Sequence, residues 1–445
     1  KIKNKYEIDM CNGTIMDKLI TFSVPLMLSS VLQLMFNAVD IIVVGRFSGS
    51  QALAAVGSTT ALINIFVNLF IGISLGANVL AARFYALELK KEMSETVHTA
   101  ITFALVSGIV VAVFGVTLAR FALEIMATPE DVINKSVLYM RIYFCGMPFF
   151  MLYNYGAAVL RAVGDTKRPL LFLIISGVVN AVLNLFLVIV FHLDVAGVGI
   201  ATVISQCISC ILVLRCLYHT ESSYQLRFSK LCLKTKYLSQ IFAVGVPAGI
   251  QSTVINLSNA MLQSSVNSFG SIAMAGYTAA NNILGFLYVS INSVTQACMS
   301  FTSQNYGVKK WKRMDKVLID CIILSVIVAL ALGNGAYLLG PKLLRIYSEQ
   351  ADVVACGMEI LAYTTITYFL CGLMDLFPGA LRGMGYSTVP MLLSIIGTVG
   401  MRIIWICLLF PTHRSYPVSW VATVVMQVIC FWFVRKKIRN TRPGI

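Results

Sequence analysis

The dominant pattern along the chain is a succession of long apolar runs separated by short polar, mostly basic segments. Each run reaches the length needed to cross a bilayer, about 20 residues. The first, Phe22 to Gly45 (FSVPLMLSSVLQLMFNAVDIIVVG), interrupts its apolar pattern with Gln33, Asn37 and Asp40. Spacings of four and three put these three on one helix face, with Val, Leu and Ile on the others. A charge at bilayer depth costs about 3 kcal/mol on insertion scales. Such a stripe therefore faces a cavity or another helix, and Asp40 is a candidate functional acid. The plainer alternative is an acid neutralised by its neighbours that serves only helix packing.

The runs predict helices near residues 19–45, 52–82, 96–118, 132–160, 169–191, 195–218, 238–268, 271–303, 316–340, 352–381, 388–410 and 417–434. Only helices and closed barrels span lipid, and unbroken apolar runs point to helices. The expected fold is an all-α polytopic membrane protein with twelve transmembrane helices. Composition agrees: 58% of the 445 residues are hydrophobic and 12% charged, against about 25% charged in a soluble domain.

The net charge of +15 first suggests nucleic acid, but its distribution suggests topology. With the N-terminus in the cytoplasm, 26 Lys and Arg fall in inner segments, among them Lys1, Lys3, Lys5, Lys310, Lys436 and Arg442. Only six fall outside: Arg46, Arg120, Lys135, Lys342, Arg345 and Arg414. Inner loops carry the excess of basic residues, so both ends are expected in the cytoplasm and the helix number even. No nucleic-acid partner is expected. Residues 1–18 have no apolar core before a cleavage site, so no cleavable signal peptide is expected.

The chain also repeats. VPLMLSSVLQLMFN (24–37) resembles VPAGIQSTVINLSN (246–259), and LRAVGDTKRPLLFLIISGVVN (160–180) resembles LRGMGYSTVPMLLSIIGTVGM (381–401). The offsets are 222 and 221, with Pro25 matching Pro247 and Gly164 matching Gly385. Two six-helix lobes, 1–222 and 223–445, are expected, joined by the basic segment near 219–236. Equal orientation implies a pseudo-two-fold axis along the membrane normal and a central cleft, a transporter architecture.

These residues carry a family likeness. The N-terminal VPxxLxxxxQxxxNxxDxxxVG run, the LRAxGDTxxP turn, its LRGMG…P echo and GxxRIIWI resemble the multidrug and toxic compound extrusion (MATE) family across the whole chain. The resemblance implies a twelve-helix bacterial exporter of organic, often cationic, compounds, coupled to inward flow of H⁺ or Na⁺. In one branch of that family the coupling acid is the helix-one Asp, matching Asp40, with an Asn and an Asp four apart in helix five. This chain has Asn180 and, at the second place, Asn184. It thus has one coupling carboxylate, which favours H⁺.

Helix geometry, at about 1.5 Å per residue, brings Asp40, Asn184 and Thr202 to one level about 8–12 Å below the outer ends of their helices. The expected ion-coupling set is Asp40, Asn180, Asn184 and Thr202; the alternative is interhelical glue. The expected substrate cleft draws on Gln33, Asn37, Asn256, Asn259, Gln263, Asn281 and Asn282. Asp375 and Arg402 are expected to form a structural charge pair, an Arg side chain bridging the difference between depths of about 10 and 18 Å.

Other motifs carry little. Cys207 and Cys210 form a CxxC inside a helix without a second pair, so no metal is expected. GISLG (72–76) matches a hydrolase pattern but lies mid-helix, where Gly72 and Gly76 read as a close helix approach. There is no Walker loop. An enzyme is therefore not expected, nor any cofactor beyond the coupling ion, H⁺ or Na⁺. The leading function is an antiporter of small organic cations, a monomer in the bacterial inner membrane. The alternative is a lipid-linked precursor flippase of related architecture.

Overall fold

The computed structural model describes residues 6–126, 128–267, 270–403 and 415–440. Positions 404–410 of the expected eleventh helix lie outside the described residues, as do Lys1, Lys3, Lys5, Arg414 and Arg442. Fourteen helices account for the described chain: α1 (Met16–Phe47), α2 (Ser50–Ala86), α3 (Lys90–Ile125), α4 (Glu130–Cys145), α5 (Met147–Ala162), α6 (Lys167–Val190), α7 (Asp194–Tyr218), α8 (Thr235–Asn267), α9 (Ser271–Gly307), α10 (Trp311–Leu338), α11 (Gly340–Arg345), α12 (Ala351–Gly383), α13 (Thr388–Ile403) and α14 (Ser415–Asn440). Among the described residues nine are long and apolar enough to cross a membrane alone, and α4 with α5 makes a bent tenth. With α13, a shorter apolar helix, and α14, this gives six such helices in each half of the chain among the described residues. The protein is an all-α, multi-pass membrane protein.

One expected helix, 132–160, is two. α4 and α5 meet at 44° around Gly146. Pro148 in the first turn of α5 has no N–H to continue the ladder and its ring excludes a straight helix through that point. Short π turns interrupt α6 at Phe186–Val190 and α13 at Ile395–Gly400.

The repeat is visible in the backbone. Left-handed residues recur at an offset of 221: Gly49 and Gly270 before α2 and α9, Glu88 and Lys309 after them, and Gly164 and Gly385 in the turns before α6 and α13. At Gly164 (φ +93°) a Cβ would fall 2.6 Å from the Ile8 nitrogen, so only glycine fits.

By contact the chain forms two compact units. The first holds the residues up to Asp9 and Leu28–Val246; the second holds Met10–Met27 and everything from Pro247. The contact boundary thus lies at Val246–Pro247, beyond the linker. The reason is close packing: a Cβ on Gly245 would sit 2.6 Å from the Ile73 backbone, and one on Gly76 2.1 Å from the Ile241 carbonyl oxygen. Glycines at such crossings let membrane helices approach backbone to backbone. In the second unit, the Phe22 and Phe301 rings meet edge to face at 5.7 Å.

The segment before α1 is tied down on each unit separately. On the first, Glu7 accepts hydrogen bonds from Tyr85 (2.7 Å) and Tyr224 (2.8 Å), and the Arg168 guanidinium lies over the Tyr6 ring while pairing with Asp165. On the second, Arg313 donates to the carbonyls of Met10, Asn12 and Gly13, and Lys310 to that of Cys11. Backbone carbonyls outside a helix need such donors.

Candidate functional site

In the first unit Asp40 comes from the last third of α1. The Asn184 side-chain amide on α6 donates to its Oδ1, and the same amide nitrogen lies 3.2 Å from Asn180 Oδ1, one helical turn back. Thr202 on α7 faces Asp40, and its hydroxyl donates to the Val198 carbonyl at 2.9 Å. A hydroxyl has one proton, so it serves one of these acceptors at a time. Asn184 is fully buried and its Oδ1 has no protein partner. A buried carbonyl oxygen without a donor is an open acceptor beside a carboxylate, suited to a proton donor, a water or a cation. The four residues predicted as a set are brought together, on three helices.

Two groups escaped the sequence reading. Tyr139 and Tyr143 on α4 sit close enough to Asp40 for its charge to act on them. Their spacing of four, with the rings 6.2 Å apart, is the one available signal. In an apolar helix it is indistinguishable from core packing.

The second unit carries its own buried polar groups, arranged differently from the expectation. Asp375 was expected to pair with Arg402. In the structure Arg402 reaches α8, donating to Asn259 Oδ1 at 2.7 Å and Ser258 Oγ at 3.3 Å. The charge that acts on Asp375 is Arg382, seven residues on along α12, and the Tyr288 hydroxyl on α9 hydrogen-bonds the carboxylate. Arg382 in turn donates to Gln251 on α8 at 2.5 Å.

Of the residues expected to meet substrate, Gln33 and Asn37 are exposed on the first unit, and Asn256, Asn259 and Asn282 on the second, with Gln263 and Asn281 half-buried. Polar side chains are costly against lipid. Asn256 also donates to the Ser252 carbonyl at 2.9 Å, so part of its capacity is spent on its own helix. Among the described residues no group of three His, Cys, Asp or Glu could hold a metal ion.

The MatE family model matches residues 25–186 and again 247–407, one match in each half. The chain belongs to the MatE family. It is 30% identical over 446 residues to the "Probable multidrug resistance protein YoeA" of Bacillus subtilis (strain 168), covering 95% of this chain and 94% of that one. It is 23% identical over 400 residues to the "Multidrug export protein MepA" of Staphylococcus haemolyticus, covering 88% and 87%. A solved structure described as the outward-facing conformation of a multidrug resistance MATE family transporter shares the fold, with a TM-score of 0.90 at 20% identity over 98% of this chain and 99% of that one. The two MatE matches coincide with the two repeats read from the sequence and with the paired left-handed residues.

Proposed function

We propose that this MatE protein is a secondary active exporter of small organic compounds, cationic ones in particular, driven by H⁺ through alternating access. The observation that carries the reading is the convergence of Asn184 and Thr202 on Asp40, beside a buried amide oxygen with no protein donor. The names of the relatives, a probable multidrug resistance protein and a multidrug export protein, support drug efflux.

A cation bound at Asp40 does useful work only if it binds one state of the transporter better than the other. The ionised carboxylate accepts from Asn184 and is faced by Thr202. Once it takes a proton, one oxygen becomes a donor. The Asn184 amide then has reason to turn its Oδ1 towards Asp40. That exchange repacks α1 against α6 and α7, and the packing of these helices is what distinguishes the two states. Na⁺ is the competing driver. It would draw its oxygens from Asp40, Asn180, Asn184 and Thr202, with a single carboxylate among them. The polar side chains offered for the substrate are Gln33, Asn37, Asn256, Asn259, Gln263, Asn281 and Asn282. The working form is a monomer in the bacterial inner membrane with both termini in the cytoplasm, in line with the distribution of Lys and Arg.

Reconstituted protein tests this under separately imposed pH and sodium gradients, with efflux and affinity for a cationic dye measured in one preparation. Asp40→Asn is expected to abolish gradient-driven efflux while retaining dye binding. Efflux by this variant at the parental rate would reduce Asp40 to helix glue.

A further inference from the structure

One surface of the first unit is built and unclaimed by transport. On α7 the exposed apolar residues Ile204, Ile211 and Tyr218 recur at sevens, which stacks them in one stripe two turns apart. An apolar stripe on the outside of a membrane helix meets lipid, and this one ends at Tyr218, the last residue of α7. The linker then returns. Phe228 lies flat against Tyr218, with ring centroids 5.7 Å apart and planes 25° from parallel. Both rings remain open, Tyr218 47% and Phe228 55% exposed. Aromatic rings at the end of a lipid-facing stripe occupy the depth of the headgroups.

The return is fixed in place. Leu226 N–H donates to the Leu217 carbonyl at 3.0 Å, with both side chains fully buried. The Arg227 N–H donates to His98 Nε2 on α3 at 3.0 Å. Tyr224 is buried and held by Glu7. Around the stacked rings the chain then presents cations. Arg215 is one turn before Tyr218, Arg227 precedes the single 3₁₀ turn Phe228–Lys230, and Lys230 ends that turn; all three are exposed. Lys234 nearby is occupied by Glu95 at 2.5 Å. Glu221, in the linker, is the acid on this stretch.

We propose that the Tyr218–Phe228 stack, with Arg215, Arg227 and Lys230, is a seat for the headgroup of an anionic phospholipid. The rings lie against the glycerol and upper acyl region, and the cations meet the phosphate and the headgroup charge. Cations near an anionic membrane surface attract it; a rigid pair of rings beside them turns a diffuse attraction into a site. The proposal needs only that the chain spans a bilayer and is independent of Asp40 and of the transported compound.

Native mass spectrometry of the protein from mixed phosphatidylglycerol and phosphatidylcholine micelles tests it. Phosphatidylglycerol is expected to be retained in preference to phosphatidylcholine. Arg215→Gln, Arg227→Gln and Lys230→Gln are each expected to weaken that retention about fivefold, the equivalent of about 1 kcal/mol per cation. Lys342→Gln is expected to leave it unchanged. Equal retention of the two lipids, or parental retention by the triple variant, overturns the site. Independently, the added emission of Phe228→Trp is expected to be quenched by lipids brominated high on the acyl chain; an unquenched signal places the ring in water and also overturns it. Dye efflux by the triple variant, assayed in vesicles, separates this question from the exporter reading: lost lipid retention with gradient-driven efflux intact supports the seat without touching Asp40.

Discussion

Asn184 on α6 donates its side-chain amide to the carboxylate of Asp40 on α1, 144 residues earlier in the chain. The same amide group faces Asn180, so one residue ties an acid to its own helix and to a second one. A hydrogen bond to a charged group is worth about 1.5–3 kcal/mol.

Asn184→Leu removes the donor and strands the Asp40 carboxylate. We expect a loss of about 2 kcal/mol of stability, seen as a lower unfolding temperature in detergent, and a fall in efflux of at least about tenfold. Asn180→Leu leaves the donor on Asp40 in place and is expected to do less on both measures. Equal effects from the two would make the pair a packing element.

Arg382 and Asp375 make the second prediction. Arg382 is the charge that acts on Asp375, and a buried charge left without its compensating one costs about 3–5 kcal/mol. Arg382→Met is expected to lower folded yield sharply, and Arg382→Met with Asp375→Asn to recover much of it. Arg402→Met with Asp375→Asn is expected to show no such recovery. Additive losses in the Arg382 double variant would show that the two charges are not coupled.

A third prediction uses pH. Burial first, and the Glu7 carboxylate second, push the Tyr224 phenol above its usual 10.0. A group whose folded-state value is raised stabilises the fold while both states are protonated, and that stability is lost as pH rises past the unfolded value. Thermal stability should therefore drop as pH climbs above 10.0, and Tyr224→Phe should drop less steeply over the same range. Parallel curves for parent and variant would count against a Glu7–Tyr224 contribution.

Much of this was legible in the apolar runs. Asp40, Asn184 and Thr202 could be set at one depth from a fixed rise per residue, because polar groups are rare in such helices, and the family resemblance singled out Asp40, Asn180 and Asn184; the structure brings Asn180 and Asn184 beside Asp40. Tyr139 and Tyr143 were not, because an aromatic ring in an apolar helix looks the same beside an acid as beside lipid. The Asp375 partner was misjudged for a different reason. Depth along the membrane is readable from sequence, but which helix neighbours which is not, and α8 supplies Asn259 and Ser258 to Arg402 from 143 and 144 residues away. The bend at Gly146 was written in GMP, yet an apolar run on both sides concealed it.

The two compact units do not follow the order of the chain: the opening turns of α1, through Met27, belong with the later half, and those of α8, through Val246, with the earlier half. A polypeptide cut in the linker near residue 222 would give two fragments, each missing a helix end that its own packing requires. Neither fragment is expected to fold by itself. Co-expression of two such fragments is therefore expected to yield folded protein where either one alone does not.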